Sequence, residues 1–378
     1  MKKILIACFL VALTACGGNA LDAVGDFSEG SLEDLVRQGE ALALGSPEGE
    51  AKSLGLTDGV AIADGMVRVA LNVPTAAGNV AARLYLSREC LLKRDRRLVA
   101  LIPGTLANGG GYYEVAVPGR EGFHTVRVLA KSGYCALSVD LLGTGGSFRP
   151  EVGQEVDSEE SALAVAAVAR PVATILGIPR WDVYGETGVG TNGALLLARR
   201  SDVRSVVAAA VFYLRFGPVS GQLFDPAFRA FVAATPYLPG DPALLNLFFG
   251  AAYPDVLAAA VAATLGPPPQ TVPSGPFNEV AAVPFGFDPV AGEFVLEAPI
   301  QDAAPARADA LFIQGSPDPI GSEAGTAELV AAYGASGGGQ AESVTLPGAS
   351  HLMRFDAPIS DGPDSAFWEP LLSFLATH

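Results

Sequence analysis

The stretch Trp181-Asp182-Val183-Tyr184-Gly185-Glu186-Thr187-Gly188-Val189-Gly190-Thr191-Asn192-Gly193 decides how this chain folds. Trp181–Tyr184, apolar but for Asp182, reads as a strand, and a helical pattern follows at Ala194–Arg199. The glycines at 185, 188, 190 and 193 leave room for a sharp strand-to-helix turn. Strand, tight turn and helix make one arm of a parallel sheet, provided the same alternation continues on both sides.

It does continue. Upstream, the alternating apolar positions of Met66–Val73 and Val80–Leu86, joined through Pro74 to Gly78, predict an antiparallel hairpin. Leu98–Ile102 is a short apolar run that stops at Pro103-Gly104. A helix near His124–Ser132 leads to a second run at Cys135–Val139. Asp157 and Glu160 stand at capping-box spacing before the alanine-rich helix Ser161–Leu176, where Pro171 is expected to introduce a kink. Downstream, Ser205–Phe212, Leu311–Gln314 and Ser343–Leu346 read as strands, and Glu323–Tyr333 and Phe367–Leu375 as helices. The sum is an α/β chain with a mostly parallel sheet covered on both faces.

One segment breaks the pattern. Residues 217–305 show no strand alternation, are rich in proline, and hold nine of the nineteen phenylalanines. They read as a mainly helical lid inserted between two strands, dividing a core of residues 57–216 and 306–378. No internal repeat is visible.

Half of the 378 residues are hydrophobic, ample for a packed core. The net charge of −16, with 24 scattered Lys and Arg, excludes nucleic acid as a partner, which demands clustered basic residues. Three histidines and four cysteines leave little material for a metal site, and no cofactor is expected.

The first fifteen residues read as an address. Lys2 and Lys3 precede the apolar run Ile4–Leu13, too short to cross a bilayer but of the length of a signal segment. Leu13-Thr14-Ala15-Cys16-Gly17-Gly18 resembles a bacterial lipobox, in which Cys16 would be acylated and become the mature N-terminus; the alternative is an ordinary signal peptide. The expectation is an exported lipoprotein, periplasmic or at the cell surface, held to a lipid bilayer through Cys16, with residues 16–56 as a tether carrying a short acidic helix around Ser31–Ala43. Gly17 after Cys16 leans toward an outer membrane.

Five landmarks then fall at strand ends in a fixed order: Pro103-Gly104-Thr105, Asp140 to Ser147, Gly185 to Gly190, Gly315-Ser316-Pro317-Asp318, and Gly348-Ala349-Ser350-His351. This order resembles the α/β-hydrolase superfamily over about Met66 to His378. In that family a G-x-S-x-G elbow presents the nucleophile, and an acid and a histidine follow in chain order. The resemblance implies Thr187 as nucleophile, Asp318 as acid and His351 as base, with backbone N–H groups of Gly188 and of Thr105 or Leu106 forming an oxyanion hole. Such a set has a clear logic: the imidazole takes the hydroxyl proton, the carboxylate fixes the imidazole's tautomer, and preorganised donors receive the developing negative charge.

Elimination supports His351, since His124 lies in a predicted helix and His378 is the last residue. Asp318 has the simpler alternative of a turn residue before Pro319, and Asp140 reads as a brace for the loop after its strand. The elbow departs from the family pattern twice. Threonine stands for serine, although the position needs a positive φ that disfavours β-branched residues, and Val189 stands where a glycine relieves crowding. Two alternatives therefore stay open: a non-catalytic elbow in a binding lipoprotein, or another nucleophile such as Thr191. Gly188-Val189-Gly190-Thr191-Asn192-Gly193 also satisfies G-x-G-x-x-G, but the acid expected about 20 residues later, at the end of the next strand, is missing.

The resemblance implies hydrolysis of acyl bonds, esters first, on an apolar small molecule or polymer. A second expectation is carbon–carbon cleavage of a β-diketone, because the layout is also similar to hydrolases of oxidised polyvinyl alcohol. It further implies a Cys90–Cys135 disulfide: in that fold the antiparallel second strand, here Val80–Leu86, ends beside the start of the strand that Cys135 opens.

Overall fold

The computed structural model describes residues 29–45, 60–63, 66–107, 109–240, 253–265, 271–303, 305–356, 359–362 and 364–378. The expected leader 1–15, Cys16 and most of the tether lie outside the described residues. The acidic helix is present as α1 (Glu29–Gly45), but it is not a free tether. Val36 is fully buried in the core, and a Cβ on Gly39 would overlap Val69 of the sheet.

Seven strands precede the insertion: β1 (Val60–Ala63), β2 (Met66–Thr75), β3 (Gly78–Leu86), β4 (Leu98–Ile102), β5 (Cys135–Val139), β6 (Trp181–Glu186) and β7 (Val203–Ala209). β8 (Arg215–Phe216) leads into the insertion, which contributes four short ones: β9 (Tyr237–Pro239), β10 (Thr271–Pro273), β11 (Phe285–Asp288) and β12 (Glu293–Leu296). After it come β13 (Asp309–Ser316) and β14 (Ala341–Pro347). The nine-stranded main sheet runs β1-β2-β3-β5-β4-β6-β7-β13-β14. The first three strands are antiparallel, β3 joins β5 antiparallel with Tyr85 opposite Ala136, and the remaining pairs are parallel.

The apolar runs are continuous because both faces of the parallel strands are covered. On β4, Leu98, Ala100 and Ile102 pack with α4 (Ser158–Ile175) and α5 (Thr187–Leu197) on one face. Val99 and Leu101 pack with α3 (Thr125–Lys131) and the C-terminal helix Trp368–Thr377 on the other. The capping expectation holds, with Asp157 accepting from the Glu160 N–H at 2.9 Å. α4 runs through Pro171 without a break. His124 sits at the N-cap of α3 rather than inside it, its ring Nδ1 accepting from the Arg127 N–H.

Just past β3, the short helix α2 (Arg88–Leu92) carries Cys90, which is disulfide-bonded to Cys135 at the start of β5, with Cα atoms 5.4 Å apart. The insertion does not match the expectation of a strand-free segment. Its β9 pairs with β10, and β8, β12 and β11 form a second small sheet around helices Gly221–Phe224, Pro226–Ala234, Pro254–Leu265 and Gly275–Ala282. These pairings are two to four residues long, too short for an alternation to stand out in sequence.

Candidate active site

The landmark loops after β4, β6, β13 and β14 all leave from the C-terminal edge of the parallel sheet, where open α/β sheets place their sites. At the end of β6, Thr187 adopts φ 48°, a left-handed conformation costing a β-branched residue about 1–3 kcal/mol. The neighbourhood accommodates it through glycine. A Cβ on Gly104 would overlap the Thr187 methyl, and one on Gly188 would overlap the Thr105 hydroxyl. A Cβ on Gly190 would stand 2.7 Å from the Ile102 carbonyl oxygen. Val189 is not the obstacle the sequence suggested: it is buried in the core beside these glycines, and its N–H donates to Thr105 Oγ1 at 2.9 Å.

Thr187, His351 and Asp318 are brought together. Thr187 Oγ1 lies 2.7 Å from His351 Nε2, and His351 Nδ1 lies 2.8 Å from Asp318 Oδ2. The acid is held from all sides. Gln314 Nε2 donates to Oδ2 at 2.6 Å, while the N–H groups of Ile320 and Gly321 donate to Oδ1 at 2.8 and 2.9 Å. Burial alone would raise the Asp318 pKa, yet the facing imidazole and these donors outweigh it and hold the carboxyl below its ordinary value. The histidine loop is fixed by Asp356, which accepts from both the N–H and the hydroxyl of Ser350, and the Phe212 ring stands 5.0 Å from the imidazole. Thr191, the other hydroxyl considered, donates to the Gly188 carbonyl at 3.0 Å and is fully buried.

Sequence reasoning missed the layer behind the elbow. Glu186, the residue before Thr187, is buried against Arg354, three residues past His351, with the Arg354 Nε 3.1 and 3.2 Å from the two carboxylate oxygens. Tyr184 donates its hydroxyl to Glu186 at 2.7 Å, and Arg354 also reaches the Tyr112 and Phe123 carbonyls. Burial lowers the Arg354 pKa, but the Glu186 charge overrides it and the net shift is upward. One ion pair thus ties the strand that ends at Thr187 to the loop that carries His351. Nothing in the spacing of two separate charged residues announces this. Asp140 does brace loops: it accepts from Arg83 at 2.5 Å and from the N–H groups of Gly110 and Gly146 at 2.6 and 2.8 Å.

Thr187 and His351 open onto a cavity between the sheet edge and the insertion. Gly188, Thr105 and Leu106 line it beside Thr187, and Phe212, Phe216, Phe228 and Phe277 supply much of its wall. The expected apolar lining is there, contributed by the loop after β7 as well as by the insertion. Among the described residues no group of three or more His, Cys, Asp or Glu side chains is placed to hold a metal ion, and no helix is long and apolar enough to cross a membrane.

No protein-family model and no curated protein matches the sequence. Solved structures do match. E-2-(acetamidomethylene)succinate hydrolase superposes over 82% of this chain and 100% of its own, at 17% identity and a TM-score of 0.55. An esterase from Exiguobacterium antarcticum matches over 81% and 99%, at 17% identity and 0.53. An enol-lactonase from Burkholderia xenovorans matches over 81% and 99%, at 18% identity and 0.51. The chain has the α/β-hydrolase fold.

Proposed function

We propose that this protein is a carboxylic ester hydrolase in which Thr187 is the nucleophile, His351 the general base and Asp318 its orienting acid. The observation that carries the reading is the unbroken line of hydrogen bonds Thr187–His351–Asp318, 2.7 and 2.8 Å long, at the wall of an apolar cavity. A non-catalytic elbow would have no need to keep a strained threonine hydroxyl on an imidazole.

Thr187 Oγ attacks the ester carbonyl carbon while its proton passes to His351 Nε2. Asp318 steadies the imidazolium through Nδ1–H. The carbonyl oxygen becomes an oxyanion facing the N–H groups of Gly188 and of Thr105 or Leu106, a donor set in which each member is worth about 2.7–4 kcal/mol elsewhere. Collapse expels the alcohol with the proton from His351 and leaves a threonyl ester. Water, deprotonated by His351, then releases the acid and restores the hydroxyl. Apolar acyl or alkyl groups fit the phenylalanine-lined walls.

A panel of p-nitrophenyl esters and a β-diketone, assayed on the wild type, Thr187→Ala and Thr187→Ser, tests this. Ester turnover that Thr187→Ala abolishes and Thr187→Ser keeps or raises supports it, since serine removes the methyl and eases the backbone. Cleavage of the diketone alone would replace esters by carbon–carbon hydrolysis, and equal loss in both variants would remove Thr187 from the mechanism. We also propose that acylated Cys16 anchors the enzyme to a bilayer outside the cytoplasm, supported by the Leu13-Thr14-Ala15-Cys16 motif. Radiolabelled palmitate incorporation that survives Cys16→Ala would reject it.

A further inference from the structure

Asn192 is a polar residue in this cavity that the chemistry above does not use. It sits on α5, lines the cavity with Thr187 and Gly188, and is only 4% exposed. Among the described residues, nothing hydrogen-bonds its Oδ1. Leaving a buried amide oxygen unpaired costs about 1–3 kcal/mol, so such a group in an otherwise apolar wall calls for a reason. Of the other polar side chains lining the cavity, Thr105 is occupied by the Val189 N–H, Ser220 by the Ile320 carbonyl and Thr264 by the Ala260 carbonyl, while the Tyr112 hydroxyl is buried behind them without a hydrogen-bond partner among the described residues.

The position of Asn192 suggests its use. It follows Val189 by three residues and so shares that residue's helix face, while Gly188 lies in the non-helical turn just before. Helical side chains tilt toward the N-terminus, which directs the Asn192 amide back over the turn where Gly188 borders Thr187. Gly188 has no side chain to stand in the way. An acyl group bound at Thr187 therefore passes along a wall that carries the Asn192 amide. A hydroxyl, both donor and acceptor, satisfies the amide whichever way it is turned.

We propose that Asn192 is a specificity residue that selects esters whose acyl chain bears a hydroxyl group over their plain alkyl counterparts. This rests on the ester-hydrolase reading above. The amide binds the substrate hydroxyl that an all-apolar wall would reject, while alkyl substrates leave it unpaired.

The experiment compares kcat/KM for two matched pairs, p-nitrophenyl butyrate with 3-hydroxybutyrate and p-nitrophenyl hexanoate with 6-hydroxyhexanoate, in the wild type, Asn192→Leu and Asn192→Ala. The expected result is a wild-type preference for at least one hydroxylated member. Both variants should lower that ratio at least tenfold and raise turnover of the alkyl member, because the amide no longer has to be desolvated unpaired. Asn192→Ala guards against a misfit of leucine, and the thermal midpoint of the variants should not fall, since no protein hydrogen bond is lost. A ratio unchanged in both variants, or an equal drop on both members with a lowered midpoint, overturns the proposal and makes Asn192 a structural amide. A wild type that hydrolyses no ester overturns the ester reading, and this inference with it.

Discussion

At the residue scale, the chemistry concentrates in two side chains and the space around one of them. As the proposed general base, His351 would act mainly in the transition state, so His351→Ala should lower kcat by about a thousandfold or more with little change in unfolding free energy. Retention of most activity would show that another base works there. The methyl of Thr187 makes a second prediction. Gly104 is glycine because a Cβ there would overlap that methyl and stand 3.1 Å from the Glu186 carbonyl oxygen. Gly104→Ala should therefore be destabilising and inactivating in the wild type, by about 1–3 kcal/mol for an overpacked site. Adding Thr187→Ser should restore part of both. A double variant no better than Gly104→Ala alone, in denaturant titration and in kcat, would place the strain elsewhere.

At the element scale, two carboxylates, one buried and one half-buried, join segments far apart in sequence. Glu186 and Arg354 link the end of β6 to the loop after β14. Removing one partner strands the other charge, so Arg354→Met should cost about 3–5 kcal/mol. The double variant with Glu186→Gln should recover much of it in a denaturation cycle; additive losses would mean the pair is not coupled. The second carboxylate is Glu279, on the insertion's helix Gly275–Ala282, which accepts from the N–H and hydroxyl of Ser158 at the start of α4, at 3.1 and 2.5 Å. Burial pushes its pKa up to about 7, with the Asp157 charge adding to the rise against the pull of the Ser158 donors. Because the docked state holds its proton more tightly than the free side chain does, linkage makes docking strongest at low pH. It weakens as pH rises from about 4.5 to about 7. Melting curves across that window should show a stability decline in the wild type that Glu279→Gln flattens; parallel curves would remove this group from the docking.

For the whole molecule, the disulfide and the insertion set the frame. The Cys90–Cys135 bond closes a loop of 45 residues, for which chain entropy gives a stabilisation of about 4 kcal/mol. Reduction should lower the unfolding free energy by up to that amount. Mass spectrometry of the non-reduced protein checks the bond directly, since two thiols alkylated without prior reduction would mean that it does not form.

The sequence by itself determined eight of the nine strands of the main sheet, the edge strand Val60–Ala63 being the exception. The mostly apolar runs at Leu98–Ile102, Cys135–Val139 and Trp181–Tyr184, the last broken by Asp182, become strands because the hydrophobic pattern and the flanking glycines are local signals. The order of Asp318 and His351 after the Thr187 turn was equally legible, because each follows a strand whose end is marked in sequence. The insertion's short strands were not, since pairings of two to four residues depend on partners and not on their own pattern. Only the tertiary structure brought Glu186 to Arg354, packed α1 onto the sheet and left the Asn192 amide facing an apolar cavity. Those outcomes are contacts between distant segments. A single chain read in order carries the propensities of its elements, but the burial and pairing of a polar group are properties of what folds against it.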